Sequence, residues 1–136
     1  MKKVYLDADV GFDFLLMRKP YFIEAEQIIQ LAHQRDIELF VSALSFSHWF
    51  YHFRQKHTSA LAVSKLIEFR PLLHVANTDE RILDQALASE FNDFEDALQH
   101  YCALAQRVDV FVTRNVKDYR KARLPVMTPA QFLATI

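Results

Sequence analysis

The 136-residue chain has one glycine, one cysteine and four prolines. Gly11 alone cannot build a glycine-rich phosphate cradle, so Walker-type and dinucleotide-binding fingerprints are excluded. Cys102 alone cannot form an intramolecular disulfide, which excludes a disulfide-stapled scaffold, and it reads as a small buried hydrophobe. No apolar run approaches the roughly 18 residues of a membrane span. The opening Met1-Lys2-Lys3-Val4-Tyr5-Leu6-Asp7 meets an aspartate after three apolar residues, too soon for a signal-peptide core. These absences lead to the expectation of a cytoplasmic protein with no membrane partner.

A basic excess is missing too. The formal net charge is −1, whereas nucleic-acid binders usually carry a positive footprint. Setting aside Asp7, Asp9, Asp93, Asp96 and Asp118 leaves 12 acidic residues against 16 Lys and Arg, a balance of +4. If those five acids share one site, a divalent cation neutralises them and exposes that balance to phosphates. The apolar fraction of 51% and the length suit one ordinary domain spanning residues 1–136.

Short apolar runs alternate with helical periodicity. Val4-Tyr5-Leu6 reads as a buried strand ending at Asp7, followed by a helix from about Asp9 to Arg18. Pro20 falls near the first turn of a second helix carrying Phe22, Ala25, Ile29 and Ala32. Glu38–Val41 reads as a second strand. Helices are expected over Ala43–Gln55, with Phe46, Trp49, Phe50 and Phe53 on one stripe, and over Ser59–Phe69. Leu72–Val75 reads as a third strand. Asn77 with Glu80 forms a capping-box pattern, and Asp93 caps a helix running to Gln106. Val110–Val112 is a fourth strand and Leu124–Val126 an edge strand, where proline is tolerated. Thr128 and Pro129 open a final helix. Such alternation predicts a three-layer α/β/α sandwich around a mostly parallel sheet.

Sites in such sheets form at the carboxyl ends of the strands, where Asp7, Ser42 and Thr113 fall. Asp93 and Asp96 open the helix that feeds the fourth strand. A lone aspartate after a strand is ordinarily a helix cap. Asp7-Ala8-Asp9, Asp93-Phe94-Glu95-Asp96 and Thr113–Asp118 together are expected at one sheet edge. Packed carboxylates repel and shift upward in pKa unless a cation compensates, and hard oxygen donors suit Mg2+ or Mn2+.

These segments resemble the PIN domain family, in particular its bacterial toxin-like, VapC-type members. The resemblance spans nearly the whole chain. Leu6–Asp13 is similar to the family's opening acidic motif, and Val41–Ser47 to the segment after its second strand. Asp93–Gln99 and Val112–Tyr119 are similar to the later acidic motifs, and Leu124–Pro129 to the usual ending. The resemblance implies a metal-dependent ribonuclease with Asp7, Asp96 and Asp118 as its acidic centre and Asp93 as an outer ligand or helix cap. Thr113 and Asn115 would position the site, and Arg114 and Lys117 would steer phosphates. The implied partners are RNA, a second copy in a homodimer and an antitoxin protein.

Two positions depart from the family pattern. His48 stands where a glutamate is frequent, with Ser42, Ser45 and Ser47 as nearby polar groups. Asp9 stands where asparagine is common and offers a compensating carboxylate. His48 and His52 share one helix at metal-ligand spacing, but with no glutamate in the zincin position they read as edging the aromatic stripe, which is core by default and an interface by alternative. Asp7-Ala8-Asp9 also resembles the opening of haloacid-dehalogenase-like phosphatases, although no Gly-Asp motif follows. A PIN-like binding module without activity is the remaining alternative.

Overall fold

Alternating side chains along each strand are divided between two apolar layers, and this division organises the molecule. The structure, a computed structural model, describes residues 1–136. In strand β1 (Lys2–Leu6), Val4 and Leu6 face one layer while Tyr5 faces the other. Strand β2 (Ile37–Ser42) repeats this with Leu39 and Val41 against Phe40. Strand β4 (Val110–Val112) does so with Val110 and Val112 against Phe111. Both faces are therefore covered, as a parallel sheet requires. Short strands β3 (His74–Ala76) and β5 (Val126–Met127) complete the order β3-β2-β1-β4-β5, and every pairing is parallel.

One layer holds helices α1 (Ala8–Leu15), α2 (Phe22–His33), α3 (Ala43–Arg54), α4 (Ser59–Phe69) and, after β5, α7 (Pro129–Leu133). The other holds α5 (Glu80–Leu87) and α6 (Phe94–Ala105). The expected three-layer sandwich is thus present. No helix is long and apolar enough to cross a membrane. Packing explains the only glycine, because a Cβ on Gly11 would come within 2.3 Å of the Trp49 indole. That indole donates from Nε1 to the Ala8 carbonyl at 2.9 Å, locking α1 against α3 just beyond the first strand. Trp49 and Phe53 of the aromatic stripe are buried, Phe46 and Phe50 are half-buried, and Tyr51 is exposed. The stripe is chiefly core.

Several boundaries differ from expectation. Helix α1 ends at Leu15 rather than near Arg18, because Met17 takes a left-handed backbone (φ 52°) and stops propagation. Pro20 lies near the first turn of α2 as expected, just before its N-cap Tyr21. Leu72 belongs to a 3-10 turn over Arg70–Leu72, so β3 begins at His74. Asp79, not Asn77, caps α5: its carboxylate accepts from the Ile82 amide at 3.0 Å. The edge strand starts at Val126. Pro125, which has no N–H, contributes only its carbonyl, to Phe111 N. Caps at Asp93 and Thr128 match the sequence reading, the latter as a reciprocal capping box with Gln131.

Candidate active site

The chain runs outward from β1 to β2 and β3, then returns to place β4 on the other side of β1. The crevice between the carboxyl ends of β1 and β4 is the topological switch point, where ligands bind in such sheets. Asp7 and Thr113 are the first residues beyond those two strands. The backbone fixes them side by side, with Asp7 N donating to Val112 O at 2.9 Å. Thr113 Oγ1 donates to Asp7 Oδ2 at 2.7 Å and accepts from Asn115 N at 3.1 Å. A short hydroxyl therefore orients the carboxylate and the following loop together.

Asp96 arrives from the first turn of α6. Tyr119, in a 3-10 turn over Val116–Tyr119, lies between the two acids, its hydroxyl 3.2 Å from Asp7 Oδ2 and 3.1 Å from Asp96 Oδ1. That hydroxyl has one proton. It donates to one carboxylate and accepts from the other only when that carboxyl is protonated. Asp7 is buried, and burial, followed by the nearby charge of Asp9, pushes its carboxyl up to about 7 despite the bond from Thr113. Burial and the charge of Asp93 push half-buried Asp96 up to about 6, with Asp118 and Glu95 adding to the effect. Tyr119 is pushed far above the usual phenol range by burial and by the same two acids, so it stays neutral. No cationic side chain pairs with Asp7 or Asp96.

Asp9 lies beside this pair. Its Oδ2 accepts from Arg114 N at 3.3 Å and from Asn115 Nδ2 at 3.1 Å, while Oδ1 is buried with no partner. Burial raises its carboxyl, and Arg114 partly offsets this. Asp93 caps α6, accepting from Asp96 N at 2.9 Å, which supports the capping account of that residue. Asp118 is exposed on the 3-10 turn and lines a cleft with Asp93, Asp96 and Lys117. Its charge reaches Asp96, but its carboxylate is outside the hydrogen-bonded pair.

Other candidates have structural partners. Ser42 is buried at the end of β2 and caps α3 through Ser45 N at 3.4 Å. Arg114 makes a two-point contact with buried Asp13, at 2.7 and 3.4 Å, and its guanidinium lies 4.0 Å from the Tyr21 ring centroid. It is committed to the protein rather than extended towards solvent. Lys117 is exposed and makes no ion pair. His100, one turn beyond Asp96, is fully buried and accepts from Arg123 N at 3.0 Å, away from the acids.

His48 Nε2 contacts the Glu95 carboxylate across the α3–α6 gap. Helix α6 thus brings a carboxylate to the imidazole that α3 presents. Sequence reasoning missed Glu95 and Tyr119. Glu95 sits inside the acidic run Asp93–Asp96, which was a usable signal. Tyr119 ends the last acidic motif, and nothing local marks its hydroxyl as a bridge.

The donor chemistry fits a hard divalent cation in one particular way. No three His, Cys, Asp or Glu side chains form a closed metal-binding group. Asp7 and Asp96 converge on one hydroxyl, and Asp9 has an unsatisfied buried oxygen beside them. Two carboxylates with water completing the shell is the arrangement Mg2+ favours, since it dehydrates reluctantly and is seldom enclosed by protein alone.

Residues 3–117 match the PIN domain family. The chain belongs to the PIN domain family. Among curated proteins no sequence matches it. Solved structures similar to this PIN domain include a chain of VapBC2 from Rickettsia felis, crystallised bound to a DNA fragment from their promoter. Identity is 14%, coverage is 92% of this chain and 96% of that one, and the TM-score is 0.66. A second is a chain of a toxin–antitoxin complex from Klebsiella pneumoniae, at 19% identity, with coverage of 93% and 97% and a TM-score of 0.69. At these identities the likeness establishes a shared fold. The family match displaces the phosphatase resemblance of Asp7-Ala8-Asp9.

Proposed function

We propose that this PIN domain, acting as a single unit over residues 1–136, is a divalent-metal-dependent ribonuclease and the toxin of a toxin–antitoxin pair. One observation carries the reading. Asp7 and Asp96, brought together from distant parts of the chain, share the Tyr119 hydroxyl and have no cationic partner. Such a pair is costly unless a proton or a cation is supplied.

Asp7 and Asp96 would hold Mg2+ or Mn2+, with Asp118 contributing through water and Asp9 as a flanking carboxylate. A bound divalent cation acidifies a water, orients it and neutralises charge on a phosphate. The protein's own groups do the rest. Thr113 and Tyr119 fix the two carboxylates, and Asn115 holds Asp9 and the loop in place. An ionised carboxylate of Asp7 or Asp96 accepts the proton of the attacking water. Phosphodiester hydrolysis then needs no covalent enzyme intermediate.

RNA as substrate, an antitoxin protein as partner and a homodimer follow from the VapC-type resemblance, and a cytoplasmic location remains the expectation drawn from the sequence composition. The toxin–antitoxin complexes among similar folds support the partner. The test is cleavage of single-stranded and structured RNA by the purified protein with Mg2+ or Mn2+, free of antitoxin. Activity that Asp96→Asn abolishes is expected, and no cleavage with either metal would falsify the enzyme reading.

The His48–Glu95 contact favours a second reading, a PIN-like binding module without activity, because an imidazole adds no negative charge where a carboxylate is frequent. That reading predicts tight antitoxin binding by a protein inert in the same assay.

A further inference from the structure

A surface groove of about 590 Å3 abuts the acid cluster at Asp9 and runs outward between α1 and the C-terminal half of α3. Asp9 is its only acid. Phe12, Arg18, His52, Lys56 and His57 are among the residues that line it further out. Charge thus changes sign along the groove, from the Asp9 carboxylate at the inner end to two permanent cations at the outer end. Lys56 has no ion-pair partner, and Arg18 reaches Asp13 only at 3.9 Å, Asp13 being held more tightly by Arg114. Both cations are exposed.

The groove also presents aromatic surface. His52 meets the Phe12 ring edge-on at 5.0 Å, and His57 lies against Phe53 at 4.5 Å, which holds both exposed imidazoles in place. The Arg18 guanidinium sits 4.9 Å from the Phe12 ring centroid. Lys56 and His57 follow α3, where cations offset the helix dipole. Arg18 follows α1 on the opposite wall in the same way, so two helix C-termini bring their cations to face one groove.

Resting on the nuclease reading, we propose that this groove is the path of a single RNA strand, with Arg18 and Lys56 taking backbone phosphates that flank the scissile one. Cations tracking a backbone beside aromatic platforms are the pattern of single-strand binding. Duplex RNA keeps its base faces stacked inside and cannot use those platforms. The assignment fits the commitment of Arg114 to Asp13, which leaves phosphate contacts to cations elsewhere.

The experiment is fluorescence-anisotropy binding of a labelled oligouridine to the full chain carrying Asp96→Asn, with Mg2+ present, across a salt series. Adding Arg18→Gln and Lys56→Gln should weaken binding about tenfold or more. It should also reduce the slope of log K against log salt by about 1.4, two phosphates at roughly 0.7 each. Arg81→Gln with Arg107→Gln, on the α5–α6 side, serves as the charge-matched control and should change neither. Single and paired variants must keep the parent melting temperature, and Arg18→Lys should retain binding. Unchanged affinity and slope in the groove variant, equal loss in the control, or equal affinity for duplex RNA would overturn the groove. Because binding is read without cleavage, loss in the groove variant supports the path even if the wild type hydrolyses nothing. Cleavage by the wild type with unchanged binding in the variant overturns the path and leaves the nuclease reading standing alone.

Discussion

Helix α1 separates two buried aspartates that the protein treats in opposite ways. Asp13, 1% exposed, is held by the Arg114 guanidinium at 2.7 Å, and that guanidinium lies over Tyr21. Asp7, 8% exposed at the other end, has a threonine and a tyrosine hydroxyl but no cation, and a second carboxylate shares the tyrosine. Burial raises both carboxyls, but only at Asp13 does a fixed positive charge oppose it. One charge is balanced inside the fold. The other awaits a proton or a cation from solution. The difference separates a structural acid from a functional one more clearly than residue type or burial does.

The comparison can be broken most forcefully at its structural end. Arg114→Met leaves Asp13 buried without its main partner and should cost about 3 kcal/mol in denaturant unfolding. The double variant Asp13→Leu/Arg114→Met should recover much of that loss, since a balanced pair is often replaceable by apolar groups. At the functional end, Asp96→Asn should lower RNA cleavage by at least about 100-fold, or ~2.7 kcal/mol in the barrier, with little loss of stability. Asp7→Asn should raise the melting temperature at pH 8, the opposite sign to Asp13→Asn.

Smaller effects sharpen the contrast. Tyr119→Phe removes the shared hydroxyl and should weaken metal-dependent activity about 10-fold, a typical effect of an outer-shell partner. A pH series should separate the two acids as well. Asp7 has a folded pKa of about 7 against an ordinary value of 3.8, so the folded state binds the extra proton between those values. Its contribution to stability is complete below about pH 3.8 and is lost as pH rises through about 7, with Asp96 adding a loss near 6. In metal-free buffer, Asp7→Asn should flatten the decline in stability between pH 5 and 8, measured by urea midpoints.

The sandwich was legible because the three central strands carry apolar runs, Val4–Leu6, Leu39–Val41 and Val110–Val112, and the helices carry 3.6-residue spacing. Asp7, Thr113 and Asp93 could be placed because strand ends and helix caps are local features. Other details depend on contacts that no local pattern encodes. Tyr119 reaches an acid 112 residues away, and His48 finds Glu95 across two helices. The role of Arg114 depended on Asp13, an aspartate that looked like an ordinary helix residue. Asn77 satisfied the capping pattern with Glu80, yet Asp79 reaches the free amide of Ile82 while Thr78 is engaged with Cys102. Neighbouring capping-competent residues compete, and packing of Ile82 and Ala86 into the second layer fixes where the helix begins.

The most direct test of the unbalanced pair is its response to divalent cations. The melting temperature of the metal-free protein should be measured against Mg2+ and Mn2+ at pH 6 and pH 8, alongside Asp7→Asn, Asp96→Asn and Asp13→Asn. A cation that replaces a proton should stabilise the wild type more at pH 8 than at pH 6, because less protonated carboxyl remains to be displaced. The shift should vanish in Asp7→Asn and Asp96→Asn and persist in Asp13→Asn. An equal shift in all four proteins, or none in the wild type at either pH, would contradict the account.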